Sequence, residues 1–179
     1  YDLTLTVAGK KGTETNKAKL DVIYILDKSG SMKEDFGGTS KRIAASNAIT
    51  ALTKSLKQNA NIDARFSMVT FSGNKTTGMW GQGDTKTWDD AEVAVSWTTD
   101  AGTIERGSKP TSNGGTNYQA GIRTAKELLT SKRAGAMTAV IFISDGDPTY
   151  YYNSYGSTIG DGNNDGNGGA DNLKVCLDA

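Results

Sequence analysis

The chain has no histidine, one cysteine and two prolines in 179 residues. Without histidine there is no Ser-His-Asp triad, no Cys-His pair, no HExxH zinc site and no imidazole base. The single cysteine, Cys176, excludes an internal disulfide and a thiolate zinc cluster. A domain of this length does not need a disulfide to hold its core, so extracellular placement stays open. Net charge is also lacking, because 20 Lys+Arg balance 20 Asp+Glu. That balance argues against nucleic acid and against a membrane surface as partners. No apolar run approaches the ~18 residues of a membrane-spanning helix. No signal peptide is visible and the first residue is Tyr1, so the chain reads as a piece of something longer. The chemistry left available is that of hard oxygen: Asp, Ser, Thr and Asn.

One stretch organises the rest: K-L-D-V-I-Y-I-L-D-K-S-G-S-M, residues 19–32. Val22, Ile23, Tyr24, Ile25 and Leu26 are apolar without alternation, which predicts a strand buried on both faces at the centre of a parallel sheet. The run stops at Asp27-Lys28-Ser29-Gly30-Ser31, where a carboxylate and two hydroxyls stand at alternate positions. In open α/β sheets ligands bind beyond the carboxyl ends of the strands, and this pentapeptide falls there.

Taken in order, residues 1–8 alternate as a half-buried edge strand, and 9–19 read as a linker. The central strand spans about 20–27. A helix follows over 41–58, capped by Thr39 or Ser40, with Ala45, Ala48, Ile49, Leu52 and Leu56 on its apolar face. Residues 65–72 form the second core strand. Residues 92–97 read as a short edge strand, and 98–109 as holding a short helix. A second clear helix covers 118–133, with Ile122, Ala125, Leu128 and Leu129 inward. Residues 138–144 (T-A-V-I-F-I-S) are continuously apolar, hence a second buried parallel strand, ending at Asp145-Gly146-Asp147. A last helix starts at Asp171, with Leu173, Cys176 and Leu177 inward. This order predicts an α/β doubly wound fold. Such a fold continues with further strands, so the domain over 20–179 reads as truncated at its C-terminus.

Three separated segments carry oxygen donors: Asp27/Ser29/Ser31, Thr116 and Asp145. If the two core strands are neighbours, Asp27 and Asp145 converge. Two carboxylates ~4 Å apart repel by about 4 kcal/mol at an effective dielectric near 20, which a proton or a cation must relieve. Hydroxyl neighbours suit a hard cation such as Mg2+.

Asp27-x-Ser29-x-Ser31, the threonine of G-G-T-N-Y-Q-A-G-I and the aspartate of I-F-I-S-D-G-D-P resemble the von Willebrand factor A domain and its metal-ion-dependent adhesion site. The resemblance covers about 20–148. It implies a mostly parallel central sheet with one antiparallel edge strand and helices on both faces. It implies a metal site of Asp27, Ser29, Ser31, Thr116 and Asp145, in which the hydroxyls coordinate directly and one or both aspartates act through water. Mg2+ is the implied ion, with Mn2+ or Ca2+ as substitutes. The surrounding wording, with Y-D-L-T-L-T-V ahead of the domain and D-G-D-P-T-Y-Y-Y after the last strand, is similar to pilus-tip and wall-anchored adhesins of Gram-positive bacteria. The leading residues 1–19 would then belong to a flanking β domain. The implied role is binding without turnover: a host or matrix protein offers an acidic side chain to the metal, on the cell wall, within a larger multidomain surface protein. Two other readings are an intracellular A-domain protein beside an ATPase, as in metal chelatases, and a Mg2+-dependent phosphohydrolase. Against the last, Asp27 has no Asp two residues on, and no G-x-S-x-G elbow is present.

Ordinary structural roles compete at several positions. Asp27, Ser29 and Ser31 suit a cap or turn, and Thr116 can cap the following helix at Asn117 or Tyr118. Lys28 reads as solvated, and Asp147 as a turn residue before Pro148. D-G-N-N-D-G from Asp161 opens like a calcium loop, but Asn172 stands where an EF-hand needs its bidentate Glu, so a polar loop is the expectation. Tyr150, Tyr151, Tyr152 and Tyr155 are either a packed loop or a contact rim. Trp80, Trp88 and Trp97 read as packing residues and Cys176 as a buried helix-face residue.

Overall fold

The computed structural model describes residues 17–73, 90–152 and 158–160. The leading strand, Trp80, Trp88, Tyr155, the Asp161 loop and the helix carrying Cys176 lie outside the described residues.

The apolar run folds as β1 (Ala18–Asp27). A 3-10 turn (Gly30–Lys33) leads to a hairpin of β2 (Asp35–Phe36) and β3 (Thr39–Ser40). Its two-residue turn is Gly37-Gly38, both at positive φ (61° and 85°), as a tight hairpin connection demands. Helix α1 (Lys41–Gln58) is capped by Ser40, whose side chain accepts from the Ile43 N–H. Then come β4 (Ile62–Phe71), β5 (Ala91–Thr98), α2 (Ala101–Gly107), α3 (Tyr118–Leu129) and β6 (Met137–Ile143). A small hairpin of β7 (Tyr150–Tyr152) and β8 (Thr158–Gly160) closes the described part.

The main sheet has the order β5-β4-β1-β6. β1 is parallel to β4 and to β6, and β5 runs antiparallel at the edge. This is the α/β sheet that the order of elements predicts, with the one antiparallel edge strand that the resemblance implies. Alternate side chains of β1 serve two cores. Val22, Tyr24 and Leu26 pack with Ala45 and Ile49 of α1 and Ile104 of α2. Ile23 and Ile25 pack with Val69, Phe71 and Ala125 of α3. Helices therefore cover both faces, and each of the five apolar β1 residues is at most 2% exposed. Burying each aliphatic side chain contributes roughly 1.5–3 kcal/mol.

Two expectations need correction. The buried face of α1 is Ala45, Ser46, Ile49 and Thr53, with Ala48 and Leu52 turned outward. The hydroxyls are tolerated inside because each has a partner: Thr53 Oγ1 with Tyr24 OH at 2.8 Å, and Ser46 Oγ with Ser108 Oγ at 2.6 Å. β6 is parallel as expected but not buried on both faces, for Val140 is 48% and Phe142 38% exposed. Among the described residues β6 pairs only with β1 and ends the sheet. Ala139, Ile141 and Ile143 face the α1 core, and on the opposite face Phe142 packs against the rings of Phe71 and Tyr118.

Candidate metal centre

The chain leaves β1 toward β4 on one side and returns to β6 on the other. The carboxyl ends of β1 and β6 therefore flank a switch point in strand order, where a crevice opens. In register, Leu26 lies beside Ile143, which brings Asp27 next to Ser144-Asp145.

Asp27 is fully buried. Its Oδ1 accepts from the Ser29 N–H at 2.6 Å, and its Oδ2 accepts from Ser144 Oγ at 2.6 Å. Ser144 Oγ in turn accepts from Tyr118 OH at 3.0 Å. Beyond Asp27 the oxygens run on: Ser29 Oγ is 3.1 Å from Ser31 Oγ, and Ser31 Oγ donates to Asp145 Oδ1 at 2.9 Å. Four of the five candidate ligands thus form one connected group. Ser29 is buried while Ser31 and Asp145 are half-buried, so the group opens outward.

The fifth, Thr116, arrives on the loop before α3. That loop is laced to the β1 turn by Gly30 N–H to Gly114 O (2.8 Å) and Asn113 N–H to Lys28 O (2.7 Å). Gly115 N–H donates to Gly73 O beyond β4 at 2.7 Å. Thr116 is 5% exposed; its N–H donates to Thr149 Oγ1, and its carbonyl accepts from the N–H groups of Thr149 and Tyr150. A side chain at Gly115 would meet the Tyr150 ring at 2.3 Å, so glycine is what allows this packing. The cap of α3 is Asn117, which accepts from the Ala120 N–H and donates to Asp90. Thr116 is not the cap.

Burial pushes the Asp27 carboxyl above the usual range; hydrogen bonds from Ser144 and Ser29 offset part of this, and the Asp145 charge adds to it. Tyr118 is likewise raised by burial, with the nearby carboxylates adding to it. Among the described residues no three acidic or cysteine side chains gather, so the centre has two carboxylates and takes its other oxygens from hydroxyls. That donor set suits a hard, oxygen-seeking divalent ion better than a soft one.

Several participants were not singled out from the sequence. Ser144 carries Asp27, Tyr118 carries Ser144, and Thr149 holds the Thr116 loop. Lys41 Nζ donates to Asp145 Oδ2 at 2.9 Å and to Glu34 Oε2 at 2.6 Å. Only Lys41 had a visible signal, a cation opening a helix where the dipole disfavours one. Lys28 is not merely solvated: it pairs with Glu92 of β5 at 2.6 Å and holds that carboxyl below its ordinary range. Asp147 is exposed in the turn after Asp145. Tyr150 is packed at 6% exposure, while Tyr151 and Tyr152 are half-buried.

The fold is similar to those of several solved structures. The vWF domain of the type V pili tip protein Mfa5 from Porphyromonas gingivalis superposes with a TM-score of 0.58 at 17% identity, covering 76% of this chain and 40% of that one. The pilus adhesin SpaC from Lactobacillus rhamnosus GG gives 0.59 at 20% identity, over 81% of this chain and 18% of that one. The PilB minor pilin from Streptococcus sanguinis gives 0.59 at 20% identity, over 78% and 33%. The chain thus spans less than half of each, and at these identities the likeness is one of fold. No curated protein matches the chain. The von Willebrand factor type A domain model matches residues 21–161, more than three-quarters of the chain, and the protein belongs to that family.

Proposed function

We propose that this domain is an extracellular adhesion module that binds a protein ligand through a divalent ion held by Asp27, Ser29, Ser31, Thr116 and Asp145. The observation that carries the reading is the hydrogen-bonded chain from Ser144 through Asp27 and the Ser29 N–H, and on from Ser29 Oγ to Ser31 and Asp145. It joins the ends of two neighbouring strands at the switch point. Asp27, with its neutral donors and raised proton affinity, is a carboxylate in want of a cation. Mg2+ is the ion of choice, since it accepts one or two carboxylates with hydroxyls and water completing its shell. Bound there, it supplies an open coordination position for a carboxylate oxygen of the partner. The protein's part is to orient the hydroxyls: Ser29 and Ser31 on the 3-10 turn, and Thr116 on the loop laced to it.

The role proposed is recognition and not turnover, with the serine and threonine hydroxyls as ligands; the lack of any histidine in the chain is in keeping with it. Pilus-tip and pilus-adhesin proteins among the structural neighbours support a surface setting within a larger protein; a host or matrix protein is the proposed partner. The test is binding of the purified domain to immobilised matrix proteins with Mg2+, with EDTA, and with Asp27→Ala. Binding is expected to need both the ion and Asp27; binding undiminished in EDTA and in the variant rejects the reading.

A further inference from the structure

Lys41 is the first residue of α1. A cation there opposes the helix dipole, and the first turn of α1 holds no acidic residue to offset it. The side chain instead turns back over the candidate centre. Its ammonium lies 2.9 Å from Asp145 Oδ2, 104 residues away in sequence, and 2.6 Å from Glu34 Oε2. The backbone is pinned to the same place, since Lys41 N–H donates to Glu34 O at 3.0 Å. Asp145 is thereby divided: Oδ1 faces the Ser31 hydroxyl, and Oδ2 faces the ammonium. Its side chain is 9% exposed, so little water competes for either oxygen. Glu34, by contrast, is 64% exposed.

We propose that Lys41 is a tethered counter-ion that competes with the divalent metal for Asp145 and so sets the metal concentration at which the site loads. This rests on the metal-site reading above. A divalent ion drawing on Asp145, directly or through water, meets a fixed positive charge already paired with that carboxylate. The ammonium need not leave the rim when it yields Asp145, because Glu34 remains as its partner. Lys41 is thus a positioning and affinity-setting residue, not a ligand. A clasp that merely fastened α1 to the end of β6 would predict something different: its loss would loosen the Asp145 loop and weaken metal binding.

The experiment is calorimetric titration of MgCl2 and MnCl2 into EDTA-stripped, dialysed protein: wild type, Lys41→Met, Lys41→Arg and Glu34→Gln. Lys41→Met is expected to bind either ion about tenfold more tightly than wild type, the scale of one removed like charge at partial exposure. Lys41→Arg keeps the charge and is expected to stay near wild type. Glu34→Gln, on an exposed position that does not threaten folding, leaves the ammonium to Asp145 alone and is expected to bind severalfold more weakly. Wild type that binds metal while Lys41→Met binds equally or less tightly overturns the Lys41 proposal and leaves the metal site standing. Should Lys41→Met fail to fold, equal or tighter binding by Glu34→Gln overturns it alone. No metal uptake by any of the four overturns the metal-site reading, and this proposal with it.

Discussion

At the opposite end of β1 from the candidate centre, Asp21 is fully buried and carries four hydrogen bonds from two arginines. Arg65 donates Nε to Oδ1 at 3.0 Å and Nη2 to Oδ2 at 2.8 Å; Arg133 donates its backbone N–H to Oδ2 and its Nε to Oδ1, both at 2.8 Å. Burial acts to raise the Asp21 carboxyl, but these donors outweigh it and bring it from 3.8 down to about 2. A carboxyl with a folded-state pKa below its unfolded value stabilises the fold above the unfolded pKa, and that contribution disappears as pH falls through the folded one. At about 1.4 kcal/mol for each tenfold change in proton affinity, the depression corresponds to about 2 kcal/mol at neutral pH, lost between roughly pH 4 and 2. Asp21→Asn is expected to cost at least that, about 2–4 kcal/mol, because it also leaves the Arg65 guanidinium short of an anion and Arg133 with Asp63 as its carboxylate partner; their 18% and 23% exposure keeps the cost below the extreme for a broken buried pair. The assay is urea denaturation from pH 7 to 2, reading the midpoint at constant m-value. Wild type should lose stability more steeply than Asp21→Asn below pH 4. A variant within 0.5 kcal/mol of wild type at pH 7, or the same pH slope in both, refutes the reasoning.

Two further outcomes follow from the core and the Thr116 loop. Tyr24→Phe leaves the Thr53 hydroxyl buried without its partner and should cost about 1–2 kcal/mol in urea denaturation, most of which Thr53→Val added to it should restore. Gly115→Ala places a methyl 2.3 Å from a ring carbon of Tyr150 and 2.6 Å from Thr149 Oγ1; it should lower stability by about 1–3 kcal/mol and weaken Mg2+ binding in calorimetry, since the loop carrying Thr116 must shift.

The parts legible in the sequence are those decided by short-range pattern. The unbroken apolar run of β1 announced a central strand, and the Ser40 cap with the polar stretch after Gln58 bounded α1. The run from Val93 to Trp97 marked β5 as an edge strand, but Val95 and Trp97, expected on one face, pack against opposite cores because the β4–β5 register shifts between them. The parts that were not legible depend on partners far away in the chain. Thr53 and Ser46 look like surface residues of α1 until Tyr24 and Ser108 satisfy them. Trp97, expected to pack, does so against a charge, with the Arg65 guanidinium 4.2 Å above its ring and Ser131 accepting from its Nε1–H. β6 has the composition of a doubly buried strand, and only its place in the sheet decides how much of it is covered. At the candidate centre the aspartates and serines stood out by spacing. Ser144, Thr149 and Lys41 did not, because a residue that orients a ligand needs no spacing of its own.

Asp21 and Asp27 are an internal comparison that bears on what the centre is for. They lie six residues apart on one strand, and both are fully buried. The fold surrounds Asp21 with two guanidiniums and drives its proton affinity down. It surrounds Asp27 with a backbone N–H and a serine hydroxyl, sets a second carboxylate nearby, and lets its proton affinity rise. Neutral donors orient Asp27 without discharging it. Were Asp27 only a structural carboxylate, an arginine or an apolar replacement of similar size would hold the strand end at lower electrostatic cost. The carboxylate at one end of the strand is neutralised by two guanidiniums, and the one at the other end is left to a proton or an external cation. The two replacements should therefore separate: Asp21→Asn weakens the fold and leaves the Mg2+ response intact, whereas Asp27→Asn removes the Mg2+ response at little cost to the fold.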